Sequence, residues 1–169
     1  MSKERAAPCA IAVFARAPVP GACKTRLIPR LGAQGAATVH ALMVEHALAQ
    51  AGAIAPDATT LWRPPDEHDD EPHPFFARCR EKFGVALAVQ RGDDLGARMA
   101  HVFARAQQDG RAPTLLMGSD CPAIRAADLA ACAQALGQPA HGVDAVFLPT
   151  SDGGYSLVGL AQSGPALRG

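Results

Sequence analysis

The sequence has no surplus of charge of either sign. Its 16 lysines and arginines balance 16 aspartates and glutamates, so no general field draws it to a nucleic acid backbone or an anionic membrane, and an anionic ligand must be caught by a local cluster. Lysine is scarce. Lys3, Lys24 and Lys82 are the only three, so a lysine inside a Gly/Pro loop is informative, and Lys24 is that residue. No apolar run approaches the roughly 20 residues of a spanning helix, and Arg16 interrupts the apolar stretch from Cys9 too early for a secretory signal. A cytoplasmic protein without membrane insertion and without a nucleic acid partner is expected. CxxC pairs are absent, and Cys9, Cys23, Cys79, Cys121 and Cys132 are odd in number, which excludes a zinc site of familiar spacing and points to reduced thiols. A GxGxxG fingerprint and internal repeats are missing as well, which removes the dinucleotide-binding and solenoid classes.

What is present is a chain of 169 residues, 49% hydrophobic and 19% charged. That points to one soluble globular domain over residues 1–169, long enough to bury about 70% of its unfolded surface without a staple. Apolar runs bounded by turn residues predict strands over Cys9 to Arg16, Thr59 to Arg63, Val85 to Gln90, Thr114 to Met117, Asp144 to Leu148 and Tyr155 to Leu160. Helical spacing is found at Val39, Leu42, Met43 and His46, closed by Gly52. It recurs near Phe75 to Lys82, at Leu95, Met99, Val102, Phe103 and Ala106 before Gly110, and over Ala126 to Leu136. The alternation predicts an α/β fold, a mostly parallel sheet with helices on both faces. In such sheets ligands bind outside the carboxyl ends of the strands, so the loops after the strands are the candidates for chemistry.

Four of those loops stand out. The first, APVPGACKTRL from Ala17 to Leu27, sets Lys24 and Arg26 after a Pro/Gly bend at Gly21, with Arg16 at the strand end. Planar guanidinium forks, a movable ammonium and backbone N–H groups near Gly21 make an anion clamp suited to a diphosphate; a solvated pair at a helix start is the alternative. Cys23-Lys24-Thr25 resembles the end of a P-loop, but Pro18 and Cys23 stand where both glycines of GxxxxGK[ST] belong. The second, QRGDDLGARM from Gln90 to Met99, opens a helix toward a possible ligand. Asp94 there is read chiefly as a cap, and Arg98 either reaches the phosphate side or snorkels. In the third, GSDCP, Asp120 follows a buried strand. A single carboxylate in that place holds Mg²⁺ or Mn²⁺ only when nucleotide phosphates complete the shell, and capping of the next helix is its other role. The fourth is the Asp152-Gly153-Gly154-Tyr155 turn, which serves equally as a plain hairpin. The acidic stretch from Asp66 to His73 is read as a solvated loop rather than a metal site. His46 and His101 are assigned to helix packing, and neither Cys23 nor Cys121 has a neighbour that would activate it.

Taken in order, FARAPVPGACKTRL, GDDLGARM, LLMGSDCPA and DGGYSLVGL resemble the small bacterial glycosyltransferase-like proteins of the GT-A, or nucleotide-diphospho-sugar transferase, fold. They are similar, more distantly, to 2-phospho-lactate and molybdenum cofactor guanylyltransferases. The resemblance implies a metal-dependent transferase with a nucleoside diphosphate sugar as donor and a small-molecule acceptor. Ala15, Arg16, Gly21, Lys24, Arg26, Gln90, Gly92 and Arg98 would lie on the nucleotide, with Lys24 and Arg26 at its phosphates and Gln90 and Gly92 along the base or ribose. Asp120 would hold the metal, with Lys24, Arg26 and Asp120 as the catalytic group, and Asp152, Gly153, Gly154 and Tyr155 would line the acceptor or sugar side. Members of that family continue past the LVGL strand into helices and an acidic strand-end motif that can add a metal ligand, whereas this sequence ends at Gly169. Nucleotidyl transfer from a nucleoside triphosphate, a nucleotide-binding module without turnover, and a P-loop phosphotransferase are the alternative readings.

Overall fold

Short runs of β-branched and apolar side chains are stable as strands when both faces of the sheet are covered, and here they assemble a central sheet. The computed structural model describes residues 9–65, 72–138, 140 and 142–161; most of the acidic stretch, residues 66–71, lies outside the described residues. In chain order the elements are β1 (Ala10–Phe14), a 3₁₀ turn (Thr25–Leu27), α1 (Ile28–Ile54), β2 (Thr59–Arg63), α2 (Pro74–Phe83), β3 (Ala86–Val89), α3 (Leu95–Gln108), β4 (Thr114–Gly118), α4 (Ala126–Leu136), β5 (Ala145–Pro149) and β6 (Tyr155–Leu160). The strands lie in the order β3-β2-β1-β4-β6-β5. Pairings β1·β2, β1·β4 and β2·β3 are parallel, while β6 runs antiparallel to both β4 and β5. One reversed strand thus sits inside an otherwise parallel sheet, as a mostly parallel α/β fold allows.

Helices cover both faces unequally. Ile11, Val13, Leu61, Leu115, Met117 and Leu157 point from the sheet into a core shared with Val44 and Leu48 of α1, Phe75 and Phe76 of α2, and Leu129 and Leu136 of α4. The other face packs Ala12, Trp62, Leu116 and Val158 against Met99, Val102 and Phe103 of α3 alone. Burial of this kind stabilises by roughly 25 cal/mol per Å² of apolar surface, so the larger layer carries most of the folding energy.

Three predicted elements, β2, α4 and β6, have the expected limits, and the remaining strands and helices differ from expectation at their ends by one to three residues, except α1. Its buried stripe is Ala36, Ala37, His40, Val44, Ala47, Leu48 and Ala51, and Leu42, predicted to face the core, is 60% exposed. Four of those seven are alanines, which contribute little to apolar periodicity, so the buried face is not the one that the larger apolar side chains mark. The helix also begins earlier than predicted, with Gly32 leaving helical geometry inside it at φ 69° and ψ 168°, and it runs through Gly52 to end at Ile54. His73 caps α2, its Nδ1 accepting from the Phe75 N–H at 3.2 Å. No helix among the described residues is long and apolar enough to cross a membrane.

Candidate functional site

Because β1 to β4 are parallel, the loops that follow them emerge at one edge of the sheet. Beside them opens a cleft of about 950 Å³. Ala15, Arg16, Lys24 and Arg26 line it from the loop after β1, Gln90 from the end of β3, Arg98 from α3, and Ser119 and Asp120 from the loop after β4. Residues far apart in sequence therefore share one wall.

The loop after β1 is internally braced. Val19 N–H donates to the Ala17 carbonyl at 2.9 Å, Ala22 N–H and the Cys23 thiol both donate to the Val19 carbonyl, and Leu27 N–H donates to the Lys24 carbonyl at 2.8 Å. This bracing holds Lys24 in the left-handed region at φ 48°, the only non-glycine with positive φ among the described residues. An L-residue there loses roughly 1–2 kcal/mol relative to ordinary backbone, and such positions persist only where the surroundings dictate them. The consequence is directional. Lys24 Nζ lies 2.7 Å from Asp120 Oδ1, with the lysine side chain 19% and the aspartate side chain 71% exposed.

Asp120 is available for that contact because it does not cap α4. The backbone at the start of α4 is satisfied otherwise: Arg125 N–H donates to Asp128 Oδ2 and Ala126 N–H to Gln50 Oε1, each at 2.8 Å. The capping alternative for Asp120 is thereby removed. Ser119 Oγ lies 3.5 Å from Asp120 Oδ1. Among the described residues no three His, Cys, Asp or Glu side chains gather as a metal cage. The donor set therefore fits a hard divalent cation only in the form of one carboxylate whose remaining ligands are phosphate oxygens and water.

The second loop is shaped by Gly92 and Asp94. Asp94 Oδ1 accepts from the Ala97 N–H at 2.8 Å, the predicted cap. Gly92, at φ 136°, passes so close to α3 that a Cβ there would stand 2.7 Å from Ala97 Cβ and 2.8 Å from the backbone of Ala97 and Arg98. Its carbonyl accepts from Arg98 Nε at 3.0 Å, which anchors the guanidinium by one nitrogen and leaves the other two for a ligand. Gln90 is buried and donates from Nε2 to the Trp62 carbonyl at 3.0 Å, so its side chain is fixed at the cleft wall.

Among the lining residues that were not singled out as ligand contacts from sequence are His40 and Cys23. His40 of α1 is 3% exposed, its Nε2 within 3.0 Å of the Arg16 carbonyl and its Nδ1 without a partner. It ties α1 to the end of β1, and its i, i+4 spacing from Ala36 and to Val44 puts it on the buried face of the helix. Cys23 is buried, and desolvation pushes its thiol up against the lowering pull of Lys24 and Arg16. It is a neutral thiol at pH 7 and suits packing rather than attack.

Other predicted residues stay outside the lining. Gly21 and Gly92 do not line the cleft; they bend its loops, Gly21 at φ 84°. The Asp152 to Tyr155 turn projects from the same sheet edge, since β6 pairs with β4 through Leu157 and Met117, yet none of its four residues lines the cleft. Asp152 Oδ1 instead accepts from the Thr150 hydroxyl and from the Gly154 N–H, and these two bonds hold its carboxyl below the ordinary range. Tyr155 packs edge-on against Phe147 and directs its hydroxyl to Met99 Sδ at 3.9 Å. The hairpin alternative is the one the geometry favours.

Comparison with known proteins agrees with this architecture. A protein of Desulfovibrio desulfuricans G20 assigned as a nucleotide-diphospho-sugar transferase superposes with a TM-score of 0.71 at 27% identity over 92% of this chain. A cytidylyltransferase of Leptospira borgpetersenii serovar Hardjo-bovis superposes with a TM-score of 0.60 at 12% identity over 96% of it, a likeness of fold alone. The chain spans 64% and 63% of the length of those two proteins. No curated protein matches. The fold is thus of the nucleotide-diphospho-sugar transferase type, as the sequence motifs implied. Residues 46–168, well over half of the chain, match the bacterial family described as "Uncharacterized protein conserved in bacteria" (DUF2064), and the chain belongs to that family.

Proposed function

We propose that the chain is the nucleotide-binding part of a metal-dependent transferase whose donor is a nucleoside diphosphate sugar and whose acceptor is a small molecule. One observation carries this reading: loops following β1, β3 and β4 converge on a single cleft lined by Arg16, Lys24, Arg26 and Arg98 and, among the described residues, by one carboxylate, Asp120, which Lys24 meets at 2.7 Å. Four cations against one acid complement a diphosphate, and the carboxyl edge of a parallel sheet is where such ligands are held. The 27% identical Desulfovibrio desulfuricans protein, assigned as a nucleotide-diphospho-sugar transferase, supports the donor class.

In this reading Arg16 and Arg26 offer planar forks to phosphate oxygens from the braced first loop. Arg98, held through Nε by Gly92, meets the diphosphate from α3. Gln90 and Ala15 border the nucleoside. Fixed cations of this kind stabilise the charge that grows on a departing diphosphate without having to reorganise. A divalent cation, Mg²⁺ or Mn²⁺, bound between Asp120 and the phosphate oxygens would supply further neutralisation of that leaving group.

The test is to incubate the protein with Mg²⁺ or Mn²⁺ and a panel of nucleoside diphosphate sugars and triphosphates, and to follow the products. Release of a nucleoside diphosphate, with water standing in for the acceptor, is the expected result. Pyrophosphate from a triphosphate would reassign the chemistry to nucleotidyl transfer. Binding of a nucleotide with neither product would leave a binding module.

A further inference from the structure

We infer that Lys24 and Asp120 form an interlock that makes the cleft take up a divalent cation and a nucleoside diphosphate together: Lys24 is the resident counter-ion of Asp120 and moves to the phosphates when a metal ion replaces it. This rests on the nucleotide site proposed above. The ammonium already stands 2.7 Å from Asp120 Oδ1, so it would compete with any cation that this carboxylate held. A divalent cation held by that carboxylate would repel the ammonium, and a bound diphosphate would be the anion left for the lysine to meet.

The root of the lysine is fixed by the loop, and its tip is held only by Asp120 among the described residues. The Cys23 thiol, the Ala22 N–H and the Leu27 N–H brace the loop around it, and the left-handed backbone at Lys24 is kept despite its steric disadvantage. The four-carbon stem can therefore swing between two anions without the loop moving. Asp120 is the only carboxylate lining the cleft among the described residues. Without a metal ion, an entering diphosphate meets its negative charge and finds Lys24 already paired.

This makes a prediction that a simple metal site does not. Replacing the acid should tighten binding of metal-free nucleotide, and should do so only when Lys24 is present. The experiment is a double-mutant cycle by calorimetry in chelator at constant ionic strength, using ADP, CDP, GDP and UDP as probes, with and without added Mg²⁺. Asp120→Asn is expected to bind the preferred diphosphate up to about fivefold more tightly than wild type in chelator, the scale of a partly exposed ion pair released. It should gain nothing further from Mg²⁺, from which wild type gains. In the Lys24→Gln background the same Asp120→Asn change should give no gain in chelator. Asp120→Ala, at an exposed position that tolerates truncation, should reproduce the pattern, and thermal unfolding of each variant verifies that it is folded.

An equal gain in both backgrounds would mean that the acid acts by repulsion alone, and would overturn the interlock while leaving the nucleotide site intact. So would weaker binding of metal-free nucleotide by both Asp120 variants. Absence of binding by every form, with and without Mg²⁺, would overturn the nucleotide reading itself and the interlock with it.

Discussion

Two loops that each carry an aspartate close to a glycine lie at the same edge of the sheet and differ in where their polar groups find partners. Asp152 is satisfied within its own turn, by Thr150 and Gly154. Asp120 has its ionic partner on a loop far away in sequence, Lys24. The first arrangement closes a hairpin and would form in any protein that needed that hairpin. The second requires the whole sheet to be assembled before the two groups meet, and it leaves them half open to a cleft lined by further cations. Long-range pairing of polar groups beside the cleft, rather than glycine content, separates the candidate site from the turn.

The largest effect is expected at the cleft. Lys24→Gln should weaken binding of a Mg²⁺-nucleoside diphosphate by about tenfold or more, the scale of a charge-assisted contact to phosphate, as read by calorimetry. Unchanged affinity would erase the distinction between the two loops. Next in size, Gly92→Ala should lower stability by about 2 kcal/mol, because the added Cβ meets the backbone of α3 in a region L-residues avoid. Denaturant unfolding measures it, and a neutral outcome would mean that the loop holding Arg98 is free to shift.

How much of this was legible beforehand follows from the physics of each signal. Buried parallel strands must be apolar runs, so the strands of the larger core were visible in the sequence to within three residues at their ends. The strap of prolines and glycines around Lys24 and the acid after β4 were visible for the same local reason. The face that α1 buries was not, because alanine contributes little to apolar periodicity and Leu42, which is exposed, contributes much. His40 was missed as a cleft residue for that reason. Nor could the place of β6 between β4 and β5 be read from motifs, since it depends on which strand each segment pairs with.

A smaller effect tests the strain at Lys24. Lys24→Gly should be about 1 kcal/mol more stable than Lys24→Ala, since only glycine adopts φ 48° without steric loss. Equal stabilities in thermal unfolding would show that the loop relaxes and does not dictate that conformation. The smallest effect belongs to the hairpin. Asp152→Ala should leave nucleotide affinity within about twofold, and its modest effect on stability should depend on pH in a defined sense. The folded-state pKa of Asp152 is lowered by the Thr150 hydroxyl and the Gly154 N–H, so its contribution is present above the ordinary aspartate range and is lost as pH falls through the lowered value. The difference between wild type and Asp152→Ala should therefore fade on the acid side. A difference that grows with acidity would contradict the turn geometry.

The most direct measurement is a titration of isotope-labelled protein with Mg²⁺ and a nucleoside diphosphate, followed by backbone amide chemical shifts. The expected pattern is perturbation centred on Arg16, Lys24, Arg26, Gln90, Arg98, Ser119 and Asp120, with residues 152–155 nearly unmoved. Shifts concentrated in the 152–155 turn, with the Lys24 and Asp120 loops unperturbed at saturation, would contradict it.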